Sequence, residues 1–340
     1  MLDRTPVDQG FAMPAEWNPH DRCWMAWPCR KALWGEGLGP ARRAYAAVAR
    51  AIAGFEPVVM LANPDELAEA KTLCGEAVEC RAMALDDSWM RDIGPTFVTD
   101  GNGALAAVDW RFNAWGERFQ PFDQDAALAE RLLGELGVPR FAAPLVLEGG
   151  SIHVDGEGTL LTSEECLLAA NRNPTLSREE IESLLGRYLG VHQFIWLGRG
   201  LQDDDTDGHI DNLACFVRPG VVMAVVCDDP EDANHPVLQD NLDRLRKAKD
   251  AKGRALEVIE LPLPREVRYL DGQRLALSYV NFYIANGGVV MPSFGDSRDA
   301  AAYEIVAAAF PERRVMQVPA SDILVGGGGI HCITQQQPRP

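Results

Sequence analysis

DNLACFVRPGVVMAVVCDD (211–229) places an apolar run, a turn carrying Pro219 and Gly220, and a second apolar run in immediate succession. Pro and Gly suit a tight reversal, so the stretch reads as a β-hairpin. The pattern recurs in TFVTDGNGALAAVDW (96–110), SIHVDGEGTLLTSEE (151–165) and SYVNFYIANGGVVMPSFGD (278–296). Aligned on Phe97, His153, Cys215 and Tyr283, successive copies stand 56, 62 and 68 residues apart. That period leaves room for a helix between hairpins.

Helical patterns fill those intervals. Ser177 opens SREEIESLLGRYLG with Glu180 three residues on, a capping box. The segments 123–136, 241–250 and 298–310 carry apolar residues at helical spacing. ARRAYAAVARAIAGF (41–55) reads as a helix and PVVMLANP (57–64) as the strand after it. Two strand-like pieces lack a local partner, RCWMAWP (22–28) and ILVGGGGIHCIT (323–334). Pairing them would close a ring of about five ββα-type units and remove exposed strand edges. With no Pro/Ser-rich linker, the expectation is an α/β fold in one domain, 1–340. A three-layer sandwich around one continuous sheet is the alternative.

Composition narrows the functional classes. Apolar residues are 47% and charged residues 24% of 340, which excludes disorder, collagen and coiled coil as the main state. No apolar run approaches the ~18 residues of a membrane helix. MLDRTPVDQGFAMPAEW (1–17) has neither the basic region nor the apolar core of a secretory signal. A net charge of −18 argues against nucleic-acid and anionic-membrane partners. It suits solubility, and also an electrostatic funnel for a cationic ligand. The eight cysteines form no C-x-x-C, and they are expected as reduced thiols in a cytoplasm.

Polar clusters stand at corresponding places, on or just before the first strand of a unit: DDSWMRDIGP (86–95), LEGGSIH (147–153), DDDTDGHIDN (203–212) and GGGGIHCITQ (326–335). They offer Asp92, Glu148, His209 with Asp211, and Cys332. In a ring, these four segments would converge on one Cys/His/carboxylate site. Each residue also has a plain reading. Cys332 is a small hydrophobe, His209 a core histidine, Glu148 a cap, and Asp92 a partner of Arg91. Asp203 and Asp204 read as a solvated loop. Zinc bound by Cys332, His209, Asp211 and Glu148 is a competitor, without paired-Cys or HExxH spacing to support it. A Cys-His-Asp amidase or transglutaminase would leave the surplus carboxylates unexplained, and a polyamine-binding protein would not need Cys332. A guanidinium uses all of them. It is planar, cationic and donates in a fork that carboxylates match, which would hold its carbon over a sulfur.

The blocks MPAEWNPHDRCWMAWP (13–28), WMRDIGPTF, LEGGSIHVDG with the later NRNP, DGHIDN and GIHCITQQQP (329–338) resemble those of the agmatine deiminases. These belong to the peptidylarginine deiminase-like branch of the guanidino-modifying (pentein) superfamily. The resemblance covers nearly the whole chain. It implies a five-bladed α/β propeller and a hydrolase converting agmatine to N-carbamoylputrescine and ammonia. Arginine and peptidyl-arginine are the competing substrates. By that resemblance Cys332 is the nucleophile, His209 the general acid/base, Glu148 the carboxylate contacting guanidinium and His209, and Asp92 with Asp211 the guanidinium clamp. Trp89 and Asp205 wall the far end of the substrate. Family members need no metal or organic cofactor. The implied partner is a small cationic guanidino substrate, with a homodimer as the candidate assembly. Gly329 stands where the family usually carries Asn, beside the nucleophile, which bears on local loop geometry and substrate choice.

Overall fold

The computed structural model describes residues 4–340. Strand β1 (His20–Ala26) runs parallel to β2 (Val58–Ala62), and β2 runs parallel to β3 (Glu79–Ala82). Helices Leu38–Ala53 and Leu67–Cys74 make the two crossovers, as parallel neighbours require a long connection. Four further sheets share one plan, in which two antiparallel strands are followed by a helix and a third strand parallel to the second. They are β4 (Thr96–Thr99), β5 (Leu105–Arg111) and β6 (Arg140–Val146); then β7 (His153–Val154), β8 (Thr159–Ser163) and β9 (Gln193–Leu197). Next come β10 (Ala214–Arg218), β11 (Val221–Val226) and β12 (Glu257–Pro262). A small separate hairpin, β13 (Tyr269–Leu270) and β14 (Gln273–Arg274), precedes β15 (Tyr283–Ala285), β16 (Gly288–Ser293) and β17 (Arg314–Pro319).

The last strand, β18 (Thr334–Pro338), lies antiparallel beside β1, with Met25 opposite Thr334 and Cys23 opposite Gln336. The chain's two ends thus supply the plan once more, with β18 and β1 as the antiparallel pair and β2 as the third strand. Separate sheets exclude the single continuous sheet held as an alternative. The hairpin turns fall where the glycines were read, and Gly220 and Gly287 take left-handed φ of 75° and 71°.

Several expectations need correction. The repeated unit is ββαβ rather than ββα, because β6, β9, β12 and β17 went unread. Residues 323–334 are not a strand. Ser321–Leu324 is a helical turn, a loop carries the glycine run, and the strand starts at Thr334. The 123–136 helix is two pieces, Asp123–Ala126 and Leu128–Leu136, and the 241–250 helix is Asn234–Lys247. The capping box at Ser177 and Glu180 is present as read. Among the described residues no helix is long and apolar enough to cross a membrane.

The sheets bring one kind of position together. Asp92 precedes β4, Glu148 precedes β7, His209 and Asp211 precede β10, and Cys332 precedes β18, each by two to five residues.

Candidate active site

Asp92 sits in the helical turn Met90–Ile93, 6% exposed. Its Oδ1 accepts from the Gly150 N–H at 2.9 Å and its Oδ2 from Trp115 Nε1 at 2.9 Å. Trp115 reaches it from a turn in which Ala114, Trp115 and Glu117 all hold positive φ, a strained backbone kept by its surroundings. Glu148 is fully buried, and its Oε1 accepts from Arg172 Nε at 2.7 Å. Although Glu148 opens the short turn Gly149–Ser151, its side chain caps nothing. Its other oxygen, Oε2, lies 3.9 Å from His209 Nε2, and His209 Nδ1 lies 3.9 Å from Asp92 Oδ2. Both His209 nitrogens, Glu148 Oε2 and Asp211 Oδ1 are buried without a hydrogen-bond partner.

Gly150 explains how these groups meet. A Cβ there would stand 2.6 Å from His209 Nδ1, 2.9 Å from Asp211 Oδ2 and 3.0 Å from Asp92 Oδ1. Only glycine leaves the imidazole and the two carboxylates room to converge.

Cys332 Sγ lies 3.4 Å from Asp211 Oδ2. The glycine run before it lets the loop ride over aromatic rings. Gly326 packs on Trp34, and a Cβ at Gly328 would be 2.5 Å from Trp89 Cζ3. Trp34 and Trp89 stack at 5.9 Å with an interplanar angle of 23°. The turn is braced from outside: the Arg91 N–H donates to the Cys332 carbonyl at 3.1 Å, and Thr334 Oγ1 donates to Ile330 O at 3.0 Å.

A pocket of ≈ 360 Å³, partly open to solvent, ends on Cys332. Trp89, Trp115 and Phe119 give it apolar walls, and among the described residues Asp92 and Asp205 are the only charged side chains lining it. Such a lining is complementary to a cation with an apolar stem. Asp205 is neither free nor simply solvated, since its Oδ1 accepts from Gln273 Nε2 at 2.7 Å and Arg118 Nη1 at 3.3 Å. Gly329 is not part of the pocket lining, which takes in Gly326 to Gly328.

This geometry has known relatives. A family model described as Porphyromonas-type peptidyl-arginine deiminase matches residues 12–338. The chain belongs to that family. Agmatine deiminase of Stutzerimonas stutzeri is 48% identical over 362 residues, covering 100% of this chain and 98% of its own. The structure of the Enterococcus faecalis agmatine deiminase superposes with a TM-score of 0.96 at 38% identity, covering 100% of this chain and 99% of that one. A C. jejuni agmatine deiminase solved with substrate bound, a cysteine replaced by serine, gives 0.89 at 31% identity and 96% coverage of both chains.

Within this family member the site's charges balance in pairs. Burial alone would raise Glu148, yet His209 and the Arg172 guanidinium hold its carboxyl below the usual range. Burial, then Asp211 and Glu148, push Asp92 up, against the pull of His209. Burial would lower His209, but Asp92, the Cys166 thiol and Glu148 raise it well above an ordinary histidine. For Asp211, burial is outweighed by His331, so its carboxyl stays low. Burial, then Asp211 and Asp92, push the Cys332 thiol far up. Both shifts run toward the protonated form, the thiol of Cys332 and the imidazolium of His209.

Two plain readings fall. Arg91 does not pair with Asp92; its Nη1 meets Glu16 Oε1 at 3.2 Å. Asp204 is buried, not solvated, and accepts from Thr206 N and Oγ1 at 3.0 and 2.7 Å, shaping the turn into His209. Of the four residues weighed as zinc ligands, only Glu148 and His209 belong to the trio of potential ligands found together among the described residues. Cys166 is the third, with ligand atoms within 4.8 Å of one another.

Sequence reasoning passed over the supports. His331 bridges the site to the N-terminal segment, with Nδ1 2.9 Å from Asp211 Oδ2 and Nε2 2.9 Å from Glu16 Oε1. Arg172 and Glu16 lie inside blocks read as motifs, NRNP and MPAEW, but no pattern marked them as partners of Glu148 and His331.

Proposed function

We propose that the protein hydrolyses agmatine to N-carbamoylputrescine and ammonia through a covalent intermediate on Cys332. One observation carries the reading: a pocket charged only by carboxylates, walled by aromatic rings, ends on a cysteine flanked by Asp211. The names of the relatives point the same way.

The unpartnered acceptors Asp211 Oδ1 and Glu148 Oε2 suit a guanidinium's donors, and each Asp92 oxygen keeps a second lone pair. The bound cation offsets the carboxylates that oppose thiolate formation, so Cys332 releases its proton to solvent as substrate arrives. Sγ then attacks the guanidinium carbon and forms a C–S bond. One C–N bond breaks, and ammonia leaves with a proton from the His209 imidazolium. The remaining thiouronium is attacked by water, whose proton passes to the now neutral His209. The C–S bond breaks, and the hydroxyl proton of the adduct passes to sulfur, returning the thiol and releasing the ureido product.

At the far end, Asp205 Oδ2 faces the glycine run, 3.3 Å from a Cβ placed on Gly327, and takes the ammonium. Trp89 lines the methylene path. Arg91, the conspicuous cation in the sequence, points away toward Glu16, and Arg118 beside Asp205 is already held by Asp205 and Asp207, so neither is a free partner for the α-carboxylate of arginine.

The same reading takes the five repeated sheets as blades of a five-bladed α/β propeller, one catalytic domain closed by β18 against β1 and working in the cytoplasm. The position of the site residues before the first strand of four of the five sheets supports the propeller.

Ammonia release measured across agmatine, arginine and a peptidyl-arginine decides the substrate. Agmatine should give the highest kcat/KM, and faster release from either competitor overturns the assignment. Asp205→Asn should weaken agmatine more than an alkylguanidine lacking the amine. Because the Asp205 side chain is 38% exposed, that selective loss should be at most about tenfold.

A further inference from the structure

Four of the five sheets place a site residue just before their first strand, and the fifth, led by β15, also has a buried polar residue there. Asn281 precedes β15 by two residues and is 1% exposed. We propose that Asn281 is a positioning residue for the nucleophile, holding the Cys332 sulfur and its backbone, and that Gly329 is the residue that makes room for it. This rests on the reading of Cys332 as the nucleophile.

The carboxamide's orientation is fixed by groups whose roles are unambiguous. Asn281 Oδ1 accepts from the His331 N–H at 2.8 Å, a backbone donor. Asn281 Nδ2 donates to the Asp211 carbonyl at 3.3 Å and to Asn212 Oδ1 at 3.0 Å. With the amide held that way, Nδ2 also donates to Cys332 Sγ at 3.2 Å. One side chain therefore sets the nucleophile's main chain and its sulfur together.

The donor matters because of what else faces the thiol. Asp211 and Asp92 oppose negative charge on it, Tyr45 lies within its field, and His331 acts through Asp211. Against them stand two neutral groups, the Gly329 backbone and the Asn281 Nδ2–H at 3.2 Å, the latter a hydrogen bond that strengthens as sulfur gains charge.

Gly329 completes the argument. A Cβ there would fall inside contact distance of Asn281 Oδ1 and lie 2.7 Å from its Cγ. Any side chain at 329 displaces the carboxamide in this arrangement. That is a structural reason for glycine at a position outside the pocket lining.

The test is the rate of Cys332 alkylation by iodoacetamide against pH, read by mass spectrometry on the Cys332 peptide. It needs no substrate, so it stands apart from the agmatine assignment. Asn281→Ala should move the alkylation midpoint up by about one pH unit, a roughly tenfold slower reaction at fixed pH below it. Gly329→Ala should shift it in the same direction. In the double variant Gly329→Ala should add little, because its target is gone. An unchanged midpoint in Asn281→Ala, or full additivity in the double variant, overturns the proposal. Should Asn281→Ala fail to fold, Gly329→Ala decides alone, and an unshifted profile there overturns it. Retention of turnover by Cys332→Ser would instead overturn the nucleophile reading beneath it.

Discussion

His20 and His209 both lie buried among carboxylates, and they are finished to different degrees. His20 places Nδ1 3.1 Å from Glu56 Oε2 and Nε2 2.9 Å from the Glu16 carbonyl. Glu56 also accepts from Tyr283 Oη at 2.6 Å and the Asn286 N–H at 2.7 Å. That knot ties β1 to the β15–β16 hairpin with its hydrogen bonds made. His209, equally buried, keeps both nitrogens unpartnered and its carboxylates at 3.9 Å. Buried polar groups left open cost stability, and under the proposed function it is the substrate that completes the bonding around His209. Burial and residue type alone do not separate the two sites; the unmade bonds do.

Removing the reacting atom should break the comparison most sharply. Cys332→Ser should keep the fold and lose turnover to below detection in an ammonia assay, since an alcohol is a far weaker nucleophile here. Substituting both histidines alike comes next. His209→Gln should lower kcat by about 10²–10⁴-fold with little change in melting temperature. His20→Gln should leave kcat near wild type and lower stability by ~1–3 kcal/mol, because Glu56 loses a partner inside the protein. A kcat loss in His20→Gln matching that of His209→Gln would erase the distinction.

Arg172→Lys should have a smaller effect. Besides Glu148, the guanidinium meets Asp207 Oδ2 at 3.0 Å and the Thr206 carbonyl at 3.1 Å, a fork that an ammonium cannot reproduce. Glu148 should lose its alignment on His209, and kcat should fall about tenfold with KM little changed.

The smallest effect concerns a third buried cluster. Burial pushes the Asp125 carboxyl from 3.8 up to about 7, although it accepts from the Asp86 and Asp87 N–H groups. The native state holds this proton more tightly than the unfolded chain, so its contribution is full below pH ~4 and is lost as pH rises through about 7. Asp125→Asn keeps an acceptor for both N–H groups and removes the titration. The fall in melting temperature between pH 5 and pH 8 should be shallower in that variant than in wild type.

Much of this was legible because turns and catalytic chemistry leave local marks. Hairpins announced themselves through Gly220 and Gly287, and Cys332, His209, Glu148, Asp92 and Asp211 stood out as reactive types at matching places. The third strand of each sheet did not. QFIWL and RVMQVP are short runs that periodicity cannot assign without knowing which strand lies alongside. Asn281 sat within SYVNF, quoted only as the start of a hairpin, because an asparagine has no reactive signature of its own. Arg118, which braces Asp205 at the pocket mouth, was invisible for a similar reason: its partner is 87 residues away.

The pairing of β18 with β1 has a bearing on biosynthesis. Trp24 Nε1 donates to Gln337 Oε1 across 313 residues of chain. During translation β1 must wait beside an empty edge until β18 has been made, and closing so long a loop slows folding. The cysteine lies two residues before the strand that fills that edge. Nascent chains therefore carry the acid–base half of the site long before they carry its sulfur. Catalysis should switch on only as the final strand docks, so recovery of ammonia release during refolding should track the slowest folding phase.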